Sequence, residues 1–193
     1  MGVTFDIIGS ILVRTAIVLI VLRMNISLNT MVSESMAHTN IQQELSILRD
    51  IMTSDFEYVG LGLAKGTGVK ECTSSKFKFD ADLAADGSIE TVSYYYGDTD
   101  ELANTSNPND RKLYRQIGSG TPLNVANGIT KCVFTYYKQD GNPTTDKTQV
   151  ASFLLTLTLE EGAFSTQVKK SDGTYINKYP ASYWEQTFFP PNL

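Results

Sequence analysis

Two charged side chains, Asp6 and Arg14, interrupt an otherwise apolar N-terminal run and are the strongest candidates for chemistry in this sequence. A charge at the centre of a bilayer costs roughly 2.5–3.5 kcal/mol, so each is expected to have a partner. Eight residues of helix rise about 12 Å, too far for a pair within one helix. Copies of the helix staggered by that distance would place Asp6 of one copy beside Arg14 of the next, as an intersubunit charge pair. The alternative is that Arg14 snorkels and Asp6 lies at the membrane interface.

The remaining residue types do not form a recognised catalytic site. The single histidine, His38, lies in the polar part of a predicted helix. The segment Gly118-Ser119-Gly120 lacks the flanking residues and the histidine partner of a nucleophile elbow. Phosphate-loop and dinucleotide-binding fingerprints are not found. We therefore predict that the protein is not an enzyme.

Two acidic stretches were considered as metal sites. Asp80, Asp82 and Asp86 precede Gly87, and a second group covers residues 98–101. A calcium loop needs about six oxygen ligands in a defined order, and neither stretch follows the EF-hand pattern. Solvated loop carboxylates are the preferred interpretation, with calcium as the alternative. No other metal or cofactor is predicted.

The two cysteines, Cys72 and Cys132, both follow the apolar run. If this part of the chain is exported, an even cysteine count favours a disulfide between them. A bond across about sixty residues would contribute roughly 4 kcal/mol in the chain-entropy estimate. Their spacing does not match that of a zinc site.

Composition limits the remaining classes of function. With 193 residues the chain can form one sizeable domain plus an extension. Sixteen Lys and Arg against 21 Asp and Glu give a net charge of −5. Because phosphate binding needs clustered cations, a specific nucleic-acid partner is not predicted.

The N-terminal half of the sequence predicts one long helix with two different surfaces. Residues 1–29 form a hydrophobic assembly or membrane helix; its apolar part, Ile7–Leu22, would be about 24 Å long, short for a membrane span. Residues 30–63 form an amphipathic helix, with loosening expected around residues 25–29. Its apolar stripe recurs at intervals of three and four, which predicts docking on a globular core: Ile41, Leu45, Leu48, Met52, Phe56 and Val59. The residues predicted to pack between helices are Ile7, Ile8, Ile11, Leu12, Ile17, Val18, Leu19, Val21 and Leu22.

The remainder, residues 64–193, predicts a β-rich exposed domain. Short runs rich in Val, Tyr, Phe and Thr alternate with Asp-Gly and Asn-Gly turn signals. After Tyr179-Pro180 the sequence predicts an extended aromatic tail without helix or strand periodicity. The expected fold is therefore α+β, with a long N-terminal helix packed on a C-terminal antiparallel sheet. The runs are 76–79, 90–97, 112–117, 130–138, 150–159 and 163–169.

An ordered set of segments resembles type IV pilins and type II secretion pseudopilins, most closely the PilW-like or J-type minor pseudopilins. The set begins with the apolar helix carrying an early acid and covers nearly the whole chain. Its further members are LSILRDIMTSDFEYVGLG (45–62), VSYYYG (92–97), LYRQI (113–117), NVANGITKCVFTYYKQDGN (124–142), VASFLLTLTLE (150–160) and FFPPNL (188–193).

This resemblance implies a structural subunit that polymerises into an extracellular filament, in contact with copies of itself. It also implies anchoring in the inner membrane before assembly, an inner-membrane assembly machinery and a prepilin-type peptidase. In the family, a glutamate usually occupies the fifth position of the mature chain. Asp6 takes that position if Gly2 is the first mature residue, and lies one position later if Met1 is the first. The family acid pairs with a neighbour's amino terminus, and Arg14, foreign to the family, could compete with or replace that partner. The alternatives are a minor pseudopilin that initiates or tips a filament, and a membrane-anchored extracytoplasmic binding domain.

Overall fold

The computed structural model of the chain describes residues 2–163 and 165–193, with side chains from Ile7 onward. A long helix, α1 (Gly2–Glu57), is followed by antiparallel strands. The predicted α+β fold is therefore confirmed. Two compact units are described separately below: the helical segment up to Thr39, and Asn40–Leu193. The strands are β1 (Val69–Cys72), β2 (Lys76–Ala81), β3 (Glu90–Tyr96), β4 (Leu113–Ile117), β5 (Leu123–Ala126), β6 (Ile129–Tyr137), β7 (Pro143–Thr144), β8 (Ser152–Glu160), β9 (Thr166–Lys169), β10 (Tyr175–Lys178) and β11 (Ala181–Phe188).

Helix α1 is continuous through residues 25–29, where the sequence predicted loosening. Asparagine and serine cost only a few tenths of a kcal/mol each in a helix interior, which does not break a long helix. The helix ends at Glu57 rather than near Leu63. Gly60 follows with a φ of 76°, a left-handed conformation that glycine adopts without strain.

The strands form two main sheets and one separate hairpin. The five-stranded sheet has the order β1-β2-β3-β4-β5, and the four-stranded sheet has the order β11-β8-β6-β7. Among the described residues, strands β9 and β10 pair only with each other. Every strand predicted from the sequence is present, with shifts of up to three residues at the ends.

Strand β11 corrects the prediction that the chain ends in an extended tail without strand structure. It pairs along its whole length with β8, from Ala181 opposite Glu160 to Phe188 opposite Phe153. Every second residue of β11 is at least half-buried while the others are exposed. That alternation is weak in the sequence because polar residues occupy both faces, so the pairing depends on β8.

The core of the second unit is built around Phe56, near the C-terminal end of α1. Its ring lies 5.7 Å from Phe77 and 5.2 Å from Tyr94, both in the five-stranded sheet. It also lies 5.2 Å from Phe153 and 5.1 Å from Phe188 in the four-stranded sheet. One side chain of α1 therefore contacts both sheets. The predicted stripe is confirmed: its members are buried, apart from Leu45, which is partly buried.

The C-terminus packs against the turn that follows α1. The carbonyl of Asn192 accepts a hydrogen bond from the Gly66 amide at 3.1 Å, and Leu193 is buried. A Cβ added at Gly60 would lie 3.0 Å from the Cβ of Asn192. The left-handed φ and the close approach both require glycine at position 60.

Candidate functional site

The first unit presents a long apolar surface to solvent, which we call the apolar helix surface (residues 7–36 of α1). The nine residues predicted to pack between helices are 52–66% exposed, and Met24, Ile26, Leu28, Met31, Val32 and Met36 extend the surface. Within the described residues, α1 is the one helix that is both long enough and apolar enough to cross a membrane. Soluble monomers rarely expose an apolar patch larger than a few hundred Å², so a surface of this kind indicates a binding face.

Hydroxyl groups on the apolar helix surface form hydrogen bonds within the helix, as two examples show. The Ser10 hydroxyl donates to the Ile7 carbonyl at 3.1 Å, and Thr15 donates to Ile11 at 2.8 Å. Such bonds satisfy hydroxyl donors without water, which suits a helix that is buried in lipid or among other helices. The Arg14 side chain is exposed. The Asp6 side chain lies outside the described residues, so the predicted charge pair stays a prediction.

The second unit contains a buried ionic cluster that sequence reasoning missed, which we call the Asp55 clamp. Asp55, in the last turn of α1, accepts two hydrogen bonds from Arg115 of β4, at 2.6 Å from Nε and 2.8 Å from the terminal nitrogen. The Tyr94 hydroxyl of β3 donates to the same carboxylate at 2.6 Å. The clamp fixes the end of the helix to two strands. The only sequence signal was an acid next to Phe56 in the buried stripe.

The electrostatics of the Asp55 clamp favour its charged pair and a neutral tyrosine. Burial and the neighbouring Asp55 carboxylate raise the pKa of Tyr94. The hydrogen bonds to Asp55 raise the pKa of the Arg115 guanidinium. Arg115 therefore remains charged and Tyr94 remains a hydrogen-bond donor, because ionised tyrosine cannot donate. This arrangement is built for stability, since every polar atom of Asp55 has a partner.

The first of the two acidic stretches considered for calcium is engaged in local hydrogen bonds and one ion pair. Asp82 accepts bonds from the Asp86 and Gly87 amides at 3.1 and 2.9 Å. Asp80 pairs with Lys70 at 3.0 Å. Among the described residues, no group of three His, Cys, Asp or Glu side chains is placed to hold a metal. These acids act as turn-forming residues in this conformation.

The predicted Cys72–Cys132 disulfide is absent, because both cysteines are free, buried thiols. Cys72 lies in β1 of one sheet and Cys132 in β6 of the other. The Cys72 thiol donates to the Thr145 carbonyl at 3.2 Å. Burial raises the pKa of Cys72 and raises that of Cys132 to about 12.

We expect a reductant to leave the unfolding midpoint of the chain unchanged. A disulfide closing this loop would contribute about 4 kcal/mol, which reduction would remove. The measurement is urea unfolding followed by fluorescence of the single tryptophan, Trp184, with and without dithiothreitol. The free-thiol assignment would be contradicted if reductant lowered the unfolding midpoint of the wild-type chain but not that of a Cys72→Ser/Cys132→Ser variant.

The structure leaves the predicted site residues in two separate places. The helical packing residues share the apolar helix surface, whereas Cys72 and Cys132 lie in the second unit. His38 is exposed in α1, and Ser119 lies in the turn after β4. The chain matches no known family model and no curated protein.

Proposed function

We propose that the chain is a structural subunit that polymerises into an extracellular filament through its apolar helix surface. The carrying observation is the exposure of apolar side chains along α1 from Ile7 to Met36. Burying such a surface contributes roughly 25 cal/mol for each Å² of apolar area removed from water. A second copy of the same helix offers the same apolar chemistry and would cover it.

The pilin-like order of elements supports this proposal, since a long apolar helix precedes an antiparallel sheet domain. On this proposal the helix rests in the inner membrane before assembly and then packs against neighbouring copies. The resemblance adds a prepilin-type peptidase and an inner-membrane assembly machinery as partners. Neither catalysis nor a cofactor is part of the proposed role.

Two other roles have support of their own. The motif order that resembles PilW-like and J-type proteins favours a minor pseudopilin that initiates or tips a filament. The length and apolar character of α1 favour a membrane-anchored extracytoplasmic binding domain. Gold-labelled antibody along whole filaments supports a major subunit, whereas label at one end supports a minor one.

We expect a Leu19→Asp variant to lose filament formation. Leu19 is 56% exposed in the middle of the apolar helix surface, and a carboxylate there would have to be buried among neighbouring helices. The measurement is negative-stain electron microscopy of the full chain after detergent removal. The wild type should form filaments of uniform diameter.

The matched control is Leu123→Asp, because Leu123 is 61% exposed on β5 of the second unit. This variant should assemble like the wild type. A wild-type chain that stays monomeric in detergent and enters liposomes without forming filaments would contradict the filament proposal and favour the membrane anchor.

A further inference from the structure

A cavity of about 320 Å³ in the second unit is lined by four carboxylates, and we call it the acidic pocket. Glu44 comes from α1, Asp110 from the segment before β4, and Glu160 and Glu161 from the end of β8. None of the four belongs to an ion pair among the described residues. The Glu44 carboxylate accepts a hydrogen bond only from a neutral backbone amide, that of Asn127, at 3.1 Å.

The acidic pocket has few hydrogen-bond donors: the Asn107 side-chain amide donates to Glu160 at 2.9 Å, but Asp110 is poorly supplied. Asp110 is 1% exposed, and its Oδ1 atom has no partner among the described residues. The other oxygen of Asp110 accepts a hydrogen bond from the Thr105 hydroxyl at 2.8 Å. The same hydroxyl lies 3.0 Å from the Leu102 carbonyl and 3.4 Å from the Asn107 carbonyl. One hydroxyl hydrogen therefore faces three acceptors. A buried acceptor without a donor costs about 1–3 kcal/mol, so the pocket suits a ligand that brings N–H donors and positive charge.

A lysine ammonium has that chemistry, with three donors, a positive charge and no acceptor. The cavity is far larger than a single metal ion, and it can also contain the aliphatic stem of a lysine side chain. In the part of the chain that the structure describes, no three metal-ligating side chains gather at one point. Together, size and donor shortage favour an ammonium on a flexible stem.

The chain also presents an unpartnered basic element, residues 165–178, which we call the basic arm. It consists of β9, a turn and β10, and nearly all of its residues are exposed. It carries Lys169, Lys170 and Lys178 against one acid, Asp172, in a chain of net charge −5. A two-stranded hairpin that pairs only with itself is marginally stable in water. A docking partner would stabilise it.

Among the described residues, no lysine of the basic arm lines the acidic pocket of its own chain. Its base is fixed by a 2.8 Å hydrogen bond from the Ser165 amide to the Lys178 carbonyl, three residues beyond the pocket residue Gly162. Four strand residues then carry Lys169 and Lys170 about 13 Å away from that base. The tip lysines are exposed and therefore available to other molecules.

We propose that the tip of the basic arm of one copy inserts a lysine ammonium into the acidic pocket of a neighbouring copy. This inference rests on the proposed filament, and it assigns a contact between second units in addition to the contact between helices. Such a head-to-tail contact uses two different surfaces of the chain, so each copy keeps one free surface for the next, and the contact is compatible with an open filament whenever its rotation does not close a ring.

Zero-length carbodiimide cross-linking tests the contact in assembled filaments. Filaments are formed from equal amounts of ¹⁴N-labelled and ¹⁵N-labelled full chain, cross-linked, digested and analysed by mass spectrometry. We expect mixed-isotope peptides that join Lys169 or Lys170 to Glu44, Glu160 or Glu161. Filaments that give only same-isotope cross-links, or none at these residues, overturn this inference alone. A failure to form filaments overturns the proposed function instead.

Charge reversal gives a second measurement. Lys169→Glu/Lys170→Glu should raise the critical concentration for assembly at least about tenfold, because each pocket carboxylate then meets a like charge. Lys65→Glu/Lys147→Glu is the control, since it changes the net charge equally at exposed positions outside the arm. Adding Glu44→Lys/Glu161→Lys to the arm variant should restore assembly. An equal loss in the control, or calcium that binds the wild-type chain and abolishes the cross-link, overturns the lysine assignment.

Discussion

Replacing Asp55 with alanine is expected to destabilise the second unit by about 3–5 kcal/mol, the range for removing one partner of a buried ion pair. The side chain of Asp55 is 10% exposed and that of Arg115 is 19% exposed. The substitution leaves the guanidinium and the Tyr94 hydroxyl without their acceptor in a site that water barely reaches. Urea unfolding of the full chain, followed by Trp184 fluorescence, measures the loss.

The matched control is Asp50→Ala, five residues earlier on the same helix. Asp50 forms an ion pair with Arg49 at 3.6 Å, but its side chain is 72% exposed. Exposed pairs contribute about 0–1 kcal/mol, so this variant should unfold almost like the wild type. Equal effects at Asp50 and Asp55 would show that the clamp contributes no more than a surface pair.

A double-mutant cycle separates the pair from the rest of the clamp. Asp55→Ala and Arg115→Ala should together cost less than the sum of the two single variants, with a coupling of about 1–3 kcal/mol. The double variant leaves no buried charge without a partner, which is why its cost is lower. Additive losses would mean that each side chain acts through packing alone.

The helix and its buried face could be predicted because both depend on local spacing. Leu48, Met52 and Phe56 recur every four residues, and that interval places them on one side of any α-helix. The runs that became β2 and β8 could be predicted from their local composition, and β8 also from its two-residue alternation. What the spacing could not give was the partner of Phe56, since its ring contacts come from strands 21 to 132 residues further along the chain.

The features that sequence reasoning missed depend on contacts between distant residues. The disulfide prediction used the number of cysteines, but the pairing of two thiols depends on where β1 and β6 lie and on how deeply each thiol is buried. The Asp55 clamp joins residues 60 positions apart. The acidic pocket gathers residues from α1 and β8 with Asp110, and in the sequence each looked like an ordinary surface acid.

The two charges of the apolar helix, Asp6 and Arg14, are expected to set the register between neighbouring subunits. If filaments place neighbouring helices about 12 Å out of register, the rise of eight residues, then Asp6 and Arg14 of adjacent copies meet in a water-poor core. Either charge alone would be costly there, whereas together they neutralise each other and select one stagger. The charge pair then selects the axial stagger between neighbouring helices more than it strengthens their association.

Asp6→Ala and Arg14→Ala are each expected to raise the critical concentration for filament assembly about 100-fold or more, since each leaves a buried charge without a partner. The double variant should assemble better than either single variant, because both costs of desolvation disappear together. Arg49→Ala is the control: it removes a positive charge from an exposed position of α1 outside the apolar helix surface and should assemble normally. Sedimentation of filaments at several protein concentrations measures the effect. Strictly additive losses would contradict the charge pair, and the two charges would then act independently, as snorkelling at the interface predicts.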